Sequence, residues 1–219
     1  MSTQLVDRLD GMMEKVTRMT SVVQQAVEDS VEAVFGVDQE LADRVIEADR
    51  RIDEDEVEIE KQAIELLALH HPAASDLRLV ATIIKANSDF ERIADCAVNI
   101  AQRVQFLKNV DRYKPPKELR MLAGSVIETL RETIKAFRTT DEPKAREVLK
   151  ADDVIDALYH HFIQDMLGIM ESDEHKANRD LSNVMIAKNL ERIADHCTNI
   201  AEDVIYVRSG QIIRHLHTA

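Results

Sequence analysis

Acidic side chains recur in this chain at the spacing of one helical turn, and the whole pattern occurs twice. Residues 90–101 read Phe90-Glu91-Arg92-Ile93-Ala94-Asp95-Cys96-Ala97-Val98-Asn99-Ile100-Ala101. One hundred positions later the chain reads Leu190-Glu191-Arg192-Ile193-Ala194-Asp195-His196-Cys197-Thr198-Asn199-Ile200-Ala201. Residues four apart in a helix lie about 40° from each other on one face. Glu91, Asp95 and Asn99 therefore share a stripe, and so do Glu191, Asp195 and Asn199. Phe90, Ile93, Ala97, Ile100 and Val104 fall on the opposite side at core spacing, so the acids are not needed to build a core. Oxygen donors in this pattern suit divalent or ferric cations, and helix-borne carboxylates can build multinuclear sites. A single such pair is ordinarily a solvated helix face. The same donors in both halves set this one apart.

Acid–base hydrolysis also uses two carboxylates, but in a cleft with unequal environments, which repeated helical faces do not suggest. Arg92 and Arg192 are placed to bond and orient the neighbouring acids. His70, His71, His160 and His161 do not align between the repeats and read as helix-end or surface imidazoles. His196 directly follows Asp195 and is a candidate neighbour of a bound ion. Cys96 and Cys197 lie off the acidic stripe and read as reduced, packed thiols. Met12, Met13 and Met19 read as core filling.

The elements that must carry these residues are long helices. From Leu5 to Val34 apolar residues recur at spacings of three and four. Gly36 then reads as a stop and Asp38 as the N-cap of a second helix, which ends near His70-His71-Pro72. Ser75 is placed to cap a third helix running from Asp76 to Lys108. Pro115-Pro116 is the one proline pair and marks the boundary between halves 1–112 and 113–219. A fourth helix covers about 117–137, and a fifth starts at Thr140 or Asp141, with Pro143 in its first turn, and reaches Met170. Glu171-Ser172-Asp173 reads as a break, and a sixth helix runs from about Glu174 to Arg208, before Ser209-Gly210. The second and fifth helices correspond as well: Asp49 and Asp53 echo Asp152 and Asp156, again four apart. Short connections make neighbouring helices antiparallel. The expected fold is all-α, two tandem pseudo-symmetric three-helix bundles.

Composition agrees and narrows the function. In 219 residues, 45% are hydrophobic and only 4% aromatic, with five glycines and four prolines, which suits long helices over sheets. No run approaches the ~20 apolar residues of a membrane span, and the N-terminus shows no signal-peptide pattern. A formal net charge of −13 argues against nucleic acid as a partner. Phosphate-cradling loops such as GxxxxGK[ST] and GxGxxG are missing, as are GxSxG, HExxH and CxxC. A cytoplasmic, acidic, all-helical protein with twinned metal-binding or interaction faces is the expectation.

The pattern resembles the PhoU family, regulators and accessory proteins of the high-affinity phosphate transport (Pst) system. The resemblance rests on Arg44-Val45-Ile46-Glu47-Ala48-Asp49, on Pro72-Ala73-Ala74-Ser75-Asp76-Leu77-Arg78-Leu79-Val80, and on both ERIAD segments with Asn99 and Asn199. It implies two similar three-helix bundles and no catalytic activity. It also implies repression of the phosphate-starvation response and restraint of phosphate uptake. The family acts as an adaptor at the inner face of the membrane, between the transporter's ATPase and a sensor histidine kinase, and often as a homodimer. Some members bind multinuclear iron or other metal clusters, one per bundle. By position, the first site comprises Asp49, Asp53, Glu91 and Asp95 with Asn99 nearby, and the second Asp152, Asp156, Glu191 and Asp195 with Asn199 nearby. Iron, zinc or another divalent metal is the expected occupant, and His196 against Cys96 makes the two sites chemically unequal. The competing reading is a metal-storage or metal-dependent hydrolytic protein, in which the clusters themselves are the function.

Overall fold

A computed structural model describes residues 3–108, 110, 113–170 and 177–213. Six long helices carry the chain: α1 (Thr3–Gly36), α2 (Gln39–His70), α3 (Ala74–Ala101), then, after the one-turn α4 (Val104–Leu107), α5 (Lys117–Thr139), α6 (Glu142–Met170) and α7 (Ala177–Ser209). No strand occurs among the described residues. α1, α2 and α3 pack on one another, as do α5, α6 and α7. The two three-helix bundles meet chiefly through α3 and α7, the helices that carry the ERIAD segments.

Both N-terminal hairpins of the bundles close with the same device. Val37 takes a left-handed conformation (φ 54°), and the amides of Val37 and Asp38 donate to the carbonyls of Val34 and Ala33. Thr140 (φ 49°) and Asp141 do the same with Phe137 and Ala136. These bonds satisfy carbonyls that the helix end leaves open. Asp38 and Asp141 then cap the next helix, each accepting from the amide three residues on, Leu41 and Lys144, at 3.0 Å. The left-handed residue after α1 is thus Val37, and Gly36 is the last residue of the helix, not its stop. Asp141, and not Thr140, is the cap of α6.

Two further expectations change. Ser75 does not cap α3: the N-cap is Ala73, with no side-chain bond, and Ser75 sits inside the first turn with its hydroxyl toward Asp76. The third helix also does not run unbroken to Lys108, since Gln102 and Arg103 form a turn before α4. The break expected at Glu171-Ser172-Asp173 and the helix start near Glu174 lie outside the described residues. At the far end Gly210 does adopt a left-handed φ of 72°, where its lack of Cβ removes the steric cost.

The apolar stripe of α1 is buried throughout, from Leu5, Leu9 and Met12 through Val16, Met19 and Val23 to Val34, so these methionines are core. Phe90, Ile93, Ala97, Ile100 and Val104 are fully buried. Phe90 meets Phe137 of α5 edge to face, with centroids 5.5 Å apart, and so joins the core of one bundle to the other. α3 and α7 run antiparallel. Arg78 donates to the Val207 carbonyl, Lys85 pairs with Asp203 at 3.2 Å, and Asp89 pairs with His196 at 2.8 Å.

Phe90→Ala removes a fully buried ring at this junction and is expected to cost about 3–5 kcal/mol in denaturant unfolding. A loss below about 1 kcal/mol would show that the junction adapts. Thr140→Gly relieves a left-handed side-chain conformation and is expected to stabilise the protein by about 0.5–1 kcal/mol in the same assay.

Candidate functional site

The side-by-side packing of α2 with α3, and of α6 with α7, brings the paired acids of each bundle together. Their mutual repulsion reports it. In the first bundle Asp49 is held above the usual carboxylate range by burial, then by Asp53, and by Asp95 across the helix pair. Glu91 is raised by burial and then by Asp95, partly offset by Arg92, with Asp53 and Glu56 adding to the repulsion. In the second bundle burial is again the first cause. It pushes Asp152 up to about 6, helped by Asp156, Asp195, Asp153 and Glu191. Asp195 is raised by burial and Glu191, against the pull of Lys188, and Asp156 adds to the rise.

The basic neighbours differ between the clusters. The Arg92 guanidinium lies across both acids of its own helix, 3.3 Å from Glu91 and 3.0 Å from Asp95. Its counterpart Arg192 is exposed and makes no such ion pair among the described residues, contrary to the expectation that both arginines orient the acids. In the second cluster Lys188 reaches Glu191 at 2.6 Å and stacks over Tyr159 of α6, its nitrogen 5.6 Å from the ring centroid. Asp152 Oδ1 is buried with no hydrogen-bond partner.

Asn99 is exposed, while Asn199 turns to the junction and donates to Asp89 Oδ1 at 3.3 Å. His196 also faces Asp89, so it holds the junction between α3 and α7 and does not extend the acidic stripe. Cys96 and Cys197 are buried and free, and burial pushes their thiols up to about 11 and about 12. His160 sits on the Asp156 carbonyl of its own helix and His161 lies 3.4 Å from Asp165. Three residues outside the expected set belong to the picture: Glu56, raised by burial and by Glu60 and Asp53; Lys188; and Asp89. Glu56 lies one helical turn beyond Asp53, a signal visible in the sequence. Lys188, three positions before Glu191, carries a local signal as well, whereas nothing local marks Asp89.

Among the described residues no group of three or more His, Cys, Asp and Glu side chains is drawn together closely enough to hold a metal ion as it stands. The donor chemistry nevertheless fits a hard cation. Carboxylates from two adjacent helices repel one another, and one buried oxygen lacks a partner, which a bound cation would relieve. Cavities lie elsewhere: one of about 570 Å³ is lined by Asp10, Met13 and Arg138, and another of about 440 Å³ by Lys114, Phe162 and Asp180.

Fold and site together describe an all-helical protein of twinned bundles, each bearing an acidic face. A family model described as PhoU domain matches the chain twice, over residues 16–104 and 119–204. The phosphate-specific transport system accessory protein PhoU homolog of Aquifex aeolicus is 35% identical over 214 residues, covering 98% of this chain and 97% of that protein. The accessory protein PhoU of Escherichia coli is 32% identical, covering 98% and 89%. Among solved structures, PhoU from Pseudomonas aeruginosa has a TM-score of 0.90 at 32% identity, covering 94% of this chain and 99% of that one. The phosphate transport system regulatory protein PhoU from Streptococcus pneumoniae has a TM-score of 0.88 at 27% identity, covering 95% and 98%. The chain belongs to the PhoU family.

Asp152 has a raised folded-state pKa, so the folded protein binds more protons than the unfolded chain between its ordinary 3.8 and about 6. Its burial therefore weakens the fold as pH rises through that window. In metal-free protein, Asp152→Asn is expected to raise the thermal midpoint at pH 7.5 and to leave it unchanged near pH 4. An equal shift at both would exclude the charge as the cause. The buried thiols are expected to ignore Ellman's reagent at pH 8 until the protein is unfolded, when both react.

Proposed function

We propose that this protein is an accessory regulator of a phosphate-specific transport system. It acts as an adaptor between the transporter's ATPase and a sensor histidine kinase, and represses the phosphate-starvation response and phosphate uptake when phosphate is plentiful. The observation that carries this reading is its likeness, over 98% of its length, to proteins named phosphate-specific transport system accessory protein PhoU. The physical character of the molecule supports it. No helix among the described residues is long and apolar enough to cross a membrane. α2 and α6 expose apolar side chains on their outer faces, Val57 and Ile64 on one and Val154 and Leu167 on the other, suited to partner helices or to a homodimer.

The adaptor has no catalytic step. Its acidic clusters, Asp49, Asp53, Glu91 and Asp95 in one bundle and Asp152, Asp156, Glu191 and Asp195 in the other, serve as metal sites for iron, zinc or another divalent cation. A bound cation would supply positive charge to offset the repulsion among these carboxylates, which are the residues that would hold it.

Pull-down of the tagged protein from cells grown in high and low phosphate is expected to recover the transporter ATPase and the kinase in amounts that follow phosphate supply. Recovery of neither would sink the adaptor reading. Elemental analysis is expected to find several equivalents of iron or zinc per chain, lost in the Asp95→Asn/Asp195→Asn double variant. Phosphate-ester turnover that vanishes in this variant would instead favour a metal-dependent hydrolase.

A further inference from the structure

We propose that the cavity between the start of α5, the end of α6 and the start of α7 binds a small organic cation, an alkylamine or guanidine, whose N–H group hydrogen-bonds Asp180. Asp180 stands fifteen residues before Asp195 on α7, about 22 Å along the helix, so this site is separate from the acidic stripes. The inference does not depend on them.

The cavity, of about 440 Å³, has the size that small ligands fill. Phe162 and Met166, buried and one turn apart on α6, give it an apolar wall. Asp180 and Asn183 of α7 also line it, and each is only 1% exposed. Asp180 accepts from the Arg179 guanidinium through Oδ1 at 2.7 Å. Its Oδ2 is buried and has no hydrogen-bond partner. A buried carboxylate oxygen without a donor is costly, and a ligand N–H would complete it. Asn183 accepts from the Tyr113 hydroxyl at 2.7 Å through its carbonyl, so its amide is the group left to donate.

The duplication supplies an internal control. One hundred positions earlier the residues matching Asp180 and Asn183 are Val80 and Ile83, both fully buried in the first bundle. The fold therefore accepts apolar side chains at these two places. Burying a carboxylate and an amide there costs desolvation that packing does not require. Arg179 offsets part of this cost, but it satisfies only one of the two carboxylate oxygens. The unmet hydrogen bond points to something that enters the cavity.

Charge decides the sign of that ligand. Glu118, Asp165 and Asp180 line the cavity against Lys114 and Arg179, a formal excess of one negative charge. Arg179 is already engaged by Asp180, and Lys114 is exposed. An anion would gain nothing at Oδ2, which can only accept. A cation with N–H donors gains a charge-assisted bond there, and Glu118 and Asp165 favour its entry. Its alkyl stem would lie along Phe162 and Met166 and leave water.

The test is calorimetric titration of the full-length protein with agmatine, which carries a guanidinium and an ammonium on one alkyl stem. About 150 mM NaCl screens the exposed charges. One saturable site per chain is expected. Asp180→Val installs the residue of the first repeat; it should keep the fold, by circular dichroism, and weaken binding about ten- to hundredfold, the scale of one charged hydrogen bond. Asp180→Asn retains an acceptor at unchanged volume and should weaken binding less, which keeps the test decisive if the valine variant misfolds. Asp10→Asn, in the other cavity, should leave binding unchanged. Tetraethylammonium, a cation without N–H donors, should not displace agmatine. Absence of saturable binding would overturn the proposal and leave water as the partner of Oδ2. Equal weakening by Asp10→Asn would overturn it by reducing the effect to net charge, and displacement by tetraethylammonium would overturn the role of the N–H donor.

Discussion

The packing of α3 against α7 is the contact on which the rest of the molecule depends. Each of these helices is shared between the core of its own bundle and the junction with the other, so its side chains have little choice of direction. Phe90, Ile93, Ala97 and Ile100 on α3, and Leu190, Ile193, Cys197 and Ile200 on α7, are all buried. That burial leaves the acids of each helix on the remaining side, next to α2 or α6. The hydrophobic demand of the junction therefore places the carboxylates, and their own repulsion works against the arrangement. A protein that keeps mutually repelling acids together in two places has an arrangement that folding alone does not require.

The polar contacts along the junction make the duplication unequal. Arg78, Thr82, Lys85 and Asp89 of α3 bond to α7 at Val207, Asp203 and His196. The corresponding positions of α7 are Asn178, Ser182, Met185 and Asn189, which do not repeat this set. Two segments that read almost identically thus see different neighbours, and their arginines end in different places. Such inequality gives two related but distinguishable faces.

Much of the fold was legible because its signals are local. The helical spacing of Leu5, Leu9, Met12 and Val16, the capping aspartate Asp38 and the proline before α5 depend on residues a few positions apart. Where the local reading went wrong, the helix ended or began one or two residues from the place that residue type suggested. Gly36 has the right residue type for a left-handed stop, yet the carbonyls of Ala33 and Val34 set the turn one residue later, at Val37. Ser75 is a good cap by type, but α3 begins at Ala74, behind Ala73, and the hydroxyl falls inside the first turn.

By itself the sequence determined the all-helical class, the duplication, the core face of each ERIAD helix and the membership of the acidic stripes. All follow from periodicity and from residue types repeated one hundred positions apart. Only the tertiary structure decided which charged groups meet. Asp89 reaches His196 and Asn199 across more than one hundred residues, Lys188 lies over Tyr159, and Arg92 closes on its acids while Arg192 makes no such pair among the described residues. Long charged side chains have many rotamers of similar energy on an isolated helix. Their choice is made by the neighbouring helix, which a one-dimensional pattern does not contain.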